Sequence, residues 1–362
     1  MSDAERAAMS RALDLALRGW GRVAPNPIVG AVLLRDGEVI GEGWHAEFGG
    51  PHAEVAALAA CGDARGATLV VSLEPCRHHG KTAPCVDALI AAGVRRVVAA
   101  IRDPDPEAGG GVERLRAAGV EVELGLCAQE AAALNAPFLC STVRRDRPFV
   151  AVKLAHSLDG FIADADGRSQ WISGAAPRDW VQWLRAGYDA LGVGRRTAVR
   201  DDPQLTVRGD VEPRVPPARV IFAGRGEVRG SLRCLAAGVP GRAIVVTDPD
   251  VAALRRAALP EHVMLVPVME VAPALTVLRR EGIRSLLVEG GGRLTTTLLE
   301  AGLVDRVYDV TAPVWLGQGT PAFGPRRAIP LGSAPRWETV ERRALGLDSL
   351  VVTDRDLCSP AS

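Results

Sequence analysis

The chain has 362 residues, 48% of them hydrophobic, and its 43 basic and 43 acidic side chains balance to zero net charge. That length favours two domains, and the composition fits a globular protein with sizeable cores. Neutral charge and 4% aromatic content argue against the basic, stacking surface of a nucleic-acid binder, and no apolar run is long enough to span a bilayer.

The opening "MSDAERAAMSRALDLALRGW" has early acids and a helical stripe of Met9, Ala12, Leu13, Ala16 and Leu17. It predicts a helix over 6–18 rather than a targeting segment, so the expected location is the cytoplasm. "PNPIVGAVLLRDGEVIGEGW" predicts two strands around an Asp36–Gly37 turn. "PHAEVAALAA" then predicts a helix that starts beside His52 and Glu54, two ionisable groups in an apolar turn. A strand in "ATLVVSL", a Pro84-initiated helix in "APCVDALIAAG", a strand in "RRVVAAI", a further helix and "VEVEL" follow. This alternation predicts an α/β layer sandwich whose later strands are largely parallel. The polar, basic stretch "STVRRDRP" at 141–148 marks a boundary, giving a first domain over 1–145 and a second over 146–362. The second restarts with "FVAVKLAHSLDG" and alternates again, through a helix near 176–186 and strands in "RVIFAG", "AIVVTD" and "SLLVEGG". It closes with strand-like "RVYDVTAPVWLG" and "LDSLVVTD".

Seven cysteines are an odd and sparse set for this length, which argues against a disulfide framework. In "EPCRHHGKTAPC", Cys76 and Cys85 each follow a proline and are expected at or near helix starts, where free backbone amides favour a thiolate. With His52 they make three ligands, the donor set of a catalytic zinc that keeps one position open. Such a metal makes water a nucleophile at neutral pH, and Glu54, two residues from His52, can carry protons for it. His-x-Glu with a later Pro-Cys and a second cysteine is the zinc deaminase signature, here with eight residues between the cysteines instead of two. Cys61, Cys127, Cys140, Cys234 and Cys358 are expected to be small apolar fillers. Only two of the 43 basic residues are lysines, Lys81 and Lys153, and the only asparagines are Asn26 and Asn135. Residues that the composition disfavours so strongly call for a chemical role. "EGGGRLTTTLL" reads as a strand end, a glycine bend and a helix start, where bare amides can approach a phosphate.

"PNPIVG", "PHAEVAAL", "EPCRHHGKTAPC" and "ALIAAGVRRVV" closely resemble the deaminase half of the RibD family of bifunctional riboflavin biosynthesis enzymes. "KLAHSLDGFIA", "GRSQWIS", "WLRAGYDALGVGRRTAVRDDPQLTVR" and "LLVEGGGRLTTTLLEAGLVDRV" resemble its reductase half. Together the two resemblances cover nearly the whole chain, in the family's order. They imply a cytidine-deaminase-like α/β/α sandwich followed by a dihydrofolate-reductase-like α/β domain. They also imply zinc on His52, Cys76 and Cys85, with Glu54 as proton donor. The implied deaminase pocket uses Asn26, His45, His78 and Lys81. In the second half, Lys153 and Glu289 lie at family positions in the active cleft. Ser169, Leu205 and Glu289 match substrate contacts, and Arg185 and Arg208 are candidates to clamp a substrate phosphate. Ala155, Trp171, Thr197, Asp201, Gly290, Gly291, Gly292 and Arg293 match the NADPH site. One of Arg195 and Arg196, directly before Thr197, is expected to pair with the 2′-phosphate, with Arg293 as the alternative.

The implied substrate is 2,5-diamino-6-ribosylamino-4(3H)-pyrimidinone 5′-phosphate, a small pyrimidine ribosyl phosphate that is deaminated and then reduced to a ribityl chain. The family suggests a homodimer or larger homo-oligomer and implies neither nucleic acid nor membrane as a partner. At "DPDPEAGGG" the chain departs from the family's Asp-Pro-Asn-Pro, placing at Asp105 a carboxylate that only accepts hydrogen bonds. A monofunctional deaminase with a non-catalytic second half, and a paralogue acting on a related pyrimidine, are the alternatives at this point.

Overall fold

The computed structural model describes residues 2–78, 83–324 and 328–355. They divide into two compact units that meet between Val143 and Arg144.

In the first unit, α1 (Asp3–Ala16) starts earlier than the apolar stripe suggested. Its start is fixed by a capping box in which the Ser2 hydroxyl accepts from the Glu5 amide while the Glu5 carboxylate accepts from the Ser2 amide. Then come β1 (Gly30–Arg35), β2 (Glu38–Trp44), α2 (Ala53–Cys61), β3 (Thr68–Val71) and α3 (Cys85–Ala91). They are followed by β4 (Arg96–Ala99), α4 (Gly111–Ala117), β5 (Glu121–Leu124), α5 (Ala128–Leu134) and α6 (Ala136–Val143). The β1–β2 turn falls where Asp36 and Gly37 both take positive φ, 53° and 85°, the conformation that suits a two-residue hairpin. Among the described residues the strands form one sheet in the order β2-β1-β3-β4-β5, with the last three mutually parallel.

Helices cover both faces of that sheet, and glycine lets them lie close. A β-carbon on Gly30 would collide with the Ala12 carbonyl of α1. On neighbouring Gly43 it would collide with the backbone of α2 at Ala53 and Ala57. Leu33, Leu69, Val97 and Leu115 are fully buried between these layers.

The second unit contains β6 (Phe149–His156), β7 (Phe161–Asp164), α7 (Ala175–Ala186), β8 (Ala190–Gly194), α8 (Arg195–Asp201) and β9 (Ala218–Gly224). There follow β10 (Ala243–Thr247), α9 (Ala252–Ala258), β11 (Met264–Pro267), α10 (Val271–Arg280), β12 (Ser285–Glu289) and α11 (Gly292–Glu300). β13 (Arg306–Thr311), β14 (Gly319–Pro321), β15 (Glu338–Leu345) and β16 (Asp348–Asp354) complete it. Among the described residues its main sheet runs β11-β10-β9-β8-β12-β6-β13-β16-β15, parallel as far as β13 and antiparallel beyond. β7 and β14 pair separately.

The antiparallel end is joined by charge. Arg306 and Asp354 are register partners, both buried, with a two-pronged ion pair at 2.6 and 2.7 Å. Beside them the Tyr188 and Tyr308 hydroxyls meet at 2.9 Å. At the start of the unit, Asp305 accepts from Arg144, Arg147 and the Val150 amide, which ties the entering chain to the root of β6.

Three expectations need correction. "RVYDVTAPVWLG" is strand only as far as Thr311, because Pro313 has no N–H to continue the ladder. Cys76 lies in irregular chain after β3 rather than at a helix start, whereas Cys85 is the first residue of α3. Cys140 is not a plain filler: it is disulfide-bonded. Cys358 lies outside the described residues.

Candidate functional site

The first unit gathers its chemistry where the C-terminal end of β3 faces the starts of α2 and α3. His52 is the residue before α2, in extended conformation (φ −71°, ψ 161°), and its side chain makes no capping bond. Its Nδ1 lies 3.5 Å from Cys76 Sγ and 3.2 Å from Cys85 Sγ, and the two sulfurs are 3.5 Å apart. The three ligand atoms lie within 4.8 Å of one another, with both cysteines buried. Two thiols and an imidazole converging this closely suit a tetrahedral zinc with a fourth position left open. The Cys76 thiol is pulled down to about 4 by the hydrogen bond from Cys85, against burial, with His52 helping. Cys85 is pushed up by Cys76 and by burial, so it holds a proton that a divalent cation would displace.

Glu54, in the first turn of α2, is 3% exposed. Burial pushes its carboxyl up to about 7, only partly offset by His52. A carboxyl poised there can both take and return a proton near neutral pH.

His52, Glu54 and Cys76 line a cavity of about 260 Å³, together with Asn26, His45, His78, Asp103 and Asp105. His45 Nδ1 lies 3.0 Å from the Pro51 carbonyl, and its Nε2 lies 3.2 Å from Asn26 Nδ2. Burial, and more weakly His52, push the His45 imidazole down toward neutrality. A neutral ring donating from Nδ1 must accept at Nε2, which fixes which end of the Asn26 amide points to it. Lys81 lies outside the described residues. The departing loop, with Asp105, lines the cavity. Asp103 and Glu74, both lining the same cavity, were not singled out from the sequence. Burial pushes Asp103 up to about 6, with the neighbouring Asp105, Glu74 and Cys76 adding to it.

In the second unit, β8 and β12 are adjacent, and the chain runs outward from β8 to β9 while α11 leads from β12 toward β13. Such a point in a parallel sheet opens a crevice at the strand ends. Gly290 and Gly291 take positive φ there, 67° and 86°, and α11 begins at Gly292 with no side-chain cap. A β-carbon on Gly291 would stand 2.9 Å from Thr197 Oγ1, so the bend after β12 and the first turn of α8 converge. Arg293 and Arg196 are exposed, while Arg195 packs its guanidinium onto Gly226. Bare amides beside arginines fit a dinucleotide phosphate.

Deeper in, Lys153 and Glu289 are register partners on adjacent strands. Burial pushes the Lys153 ammonium down while Glu289 opposes it. Arg185 grips Glu289 through Nε and Nη2 at 2.6 and 2.7 Å and the Thr206 carbonyl through Nη1 at 2.9 Å. Ala155 follows on the same strand as Lys153, while Arg208 is exposed on a loop held by Gln182. Leu205 is 2% exposed with φ 53°, and Trp171 is 68% exposed beneath the Arg178 guanidinium at 4.6 Å. Ser169 accepts at its carbonyl from Ile172, and Asp201 ends α8.

The sequence matches the family model for the RibD C-terminal domain over residues 148–351. It matches the model for the cytidine and deoxycytidylate deaminase zinc-binding region over residues 2–101. It is 40% identical over 359 residues to the riboflavin biosynthesis protein RibD of Escherichia coli K12, covering 94% of this chain and 96% of that one. The RibD protein of Aquifex aeolicus is 39% identical over 313 residues, 86% of this chain and 87% of its own. Among solved structures, a Thermotoga maritima diaminohydroxyphosphoribosylaminopyrimidine deaminase/5-amino-6-(5-phosphoribosylamino)uracil reductase superposes with a TM-score of 0.83 at 38% identity, covering 98% and 99%. Acinetobacter baumannii RibD, in one crystal form, gives 0.80 at 36% identity over the same shares of the two chains.

Proposed function

From the premise that this chain belongs to the RibD family, we propose that its two units act in turn on one pyrimidine ribosyl phosphate. The chain is a bifunctional enzyme of riboflavin biosynthesis, a zinc-dependent deaminase joined to an NADPH-dependent reductase. The substrate we assign is 2,5-diamino-6-ribosylamino-4(3H)-pyrimidinone 5′-phosphate. The observation that carries the first step is the buried Glu54 carboxyl beside the His52, Cys76 and Cys85 triad, at the wall of a cavity.

His52 Nδ1 and the two Sγ atoms would hold a zinc ion, whose Lewis acidity would make water a nucleophile at neutral pH. Glu54 takes a proton from the attacking water and returns it to the departing amino group. Asn26 and His45 orient the ring, and a neutral His45 does so without adding charge beside the metal. In the second unit the crevice beside the glycine bend would hold NADPH, which would supply the hydride. Arg185 locks Glu289, which leaves the Lys153 ammonium, its hold on the proton weakened by burial, to protonate the ribose ring oxygen as the sugar opens. With Arg185 so engaged, Arg208 meets the substrate phosphate first, and Ser169 and Leu205 frame the ribose. Thr197, Asp201, Trp171 and the glycines 290–292 with Arg293 hold the cofactor.

No helix of the described residues is long and apolar enough to cross a membrane. An NADPH supply suits the cytoplasm, where we place the enzyme as a homodimer or larger homo-oligomer.

The test is to supply the zinc-loaded protein with the diaminopyrimidine ribosyl phosphate, with and without NADPH, and identify products by mass. Exchange of an amino group for oxygen without NADPH, and a further gain of two hydrogens with it, support the assignment. An untouched substrate in both tubes would overturn it.

A further inference from the structure

The short segment that carries Cys76 is bonded on both sides to a second loop. Glu74 is 3% exposed, and its carboxylate accepts three backbone N–H groups. Oε2 accepts from Asp103 at 3.0 Å, and Oε1 accepts from Gly110 at 3.1 Å and Val112 at 2.9 Å. On the other side of Cys76, the Arg77 amide donates to the Ala108 carbonyl at 3.1 Å and Arg77 Nη2 to the Pro106 carbonyl at 3.2 Å. Gly111 closes the gap between them, since any β-carbon there would collide with the Pro75 carbonyl. The loop so held, 103–112, is the one that brings Asp103, Asp105 and Ala108 to the cavity wall.

We propose that Glu74 is a positioning residue for deamination: it sets the distance between the substrate-facing loop and the Cys76 ligand, and so seats the pyrimidine ring over the metal. The inference rests on the deaminase reading of this cavity. A carboxylate suits the task because it offers only acceptors to three buried donors. An amide of the same shape cannot do this. Whichever way a glutamine turned, its NH2 would face a backbone N–H and leave that donor unpaired.

The experiment uses the zinc-loaded full chain as Glu74→Gln and, independently, Arg77→Ala, whose exposed side chain can be removed without disturbing the core. Zinc per chain, KM and kcat for deamination, and amide hydrogen exchange over residues 103–112 are measured. For Glu74→Gln, zinc stays stoichiometric, exchange in the loop accelerates about tenfold, and KM rises about tenfold while kcat stays within about threefold. Arg77→Ala moves exchange and KM in the same direction by less. Unchanged loop exchange and KM with zinc bound would overturn the proposal. So would zinc loss with the loop still protected, which would make Glu74 a support of the metal centre. Faster exchange in a protein whose unsubstituted form deaminates nothing would refute the deaminase reading of the cavity rather than the fastening of the loop.

Discussion

A carboxyl enclosed beside two sulfurs keeps its proton to near neutrality, and Glu54 is held so by burial. Glu54→Gln is therefore expected to retain zinc and lose deamination by about a hundredfold or more, because an amide can neither take nor return the proton. A rate near that of the unsubstituted enzyme, at full zinc content, would assign the proton transfer elsewhere. Asp105 poses the opposite case, a carboxylate where the resemblance leads to the expectation of an amide. It lines the cavity, and its Oδ1 accepts from the Glu107 amide, so part of its charge is used within its own loop. Asp105→Asn should lower the deaminase KM if an amide donor serves the substrate, and raise it if the carboxylate is adapted; an unchanged KM would remove Asp105 from substrate contact. The legible residues were those whose chemistry is local in sequence. His52 and Glu54 are two apart, and Cys85 opens the helix that Pro84 announces. Glu74 gave no such signal, because its partners lie 29, 36 and 38 residues away and are backbone amides that carry no side-chain signature.

Elements with one buried face announced themselves by period. α7 shows its apolar stripe at Val181 and Leu184, whereas β10, buried on both faces, has no such period and reads as the apolar run 243–246. β15 did not, since all but two of its eight residues are exposed and "ETVERRAL" alternates nothing. Its place in the sheet comes from pairing with β16 rather than from any pattern of its own. The turn from β12 into α11 was legible as a glycine bend, and the structure adds the reason for the middle glycine. Gly291 sits at φ 86° and approaches Thr197. Gly291→Ala adds a β-carbon to a left-handed residue, at a cost of about 1–2 kcal/mol, and presses it against Thr197. The expected outcome is a KM for NADPH raised several-fold with the deaminase rate unchanged. An unaltered NADPH titration would mean that this bend is not where the cofactor lies.

The molecule carries two chemistries on two separately cored units, each with its own sheet. Disabling one should leave the other at work. Cys76→Ser is expected to lose zinc and deamination, while NADPH-dependent reduction of supplied deaminated substrate continues. Full zinc content in that variant, read by elemental analysis, would remove Cys76 from the ligand set.

The paired Arg306 and Asp354 have a further consequence for how this chain is made. Every strand of the first sheet is encoded by residue 124, so that unit can close, and its metal ligands can assemble, while the second is still emerging. The Arg306–Asp354 pair forms late, because Asp354 follows Arg306 by 48 residues. At bacterial or eukaryotic synthesis rates of about 5–20 residues per second, β13 waits for β16 on the order of 2–10 s with that edge open. Nascent chains stalled before Asp348 should therefore resist protease through the first unit and be cut within the second. Equal resistance in both would show that the parallel strands alone can hold the second sheet shut on the ribosome.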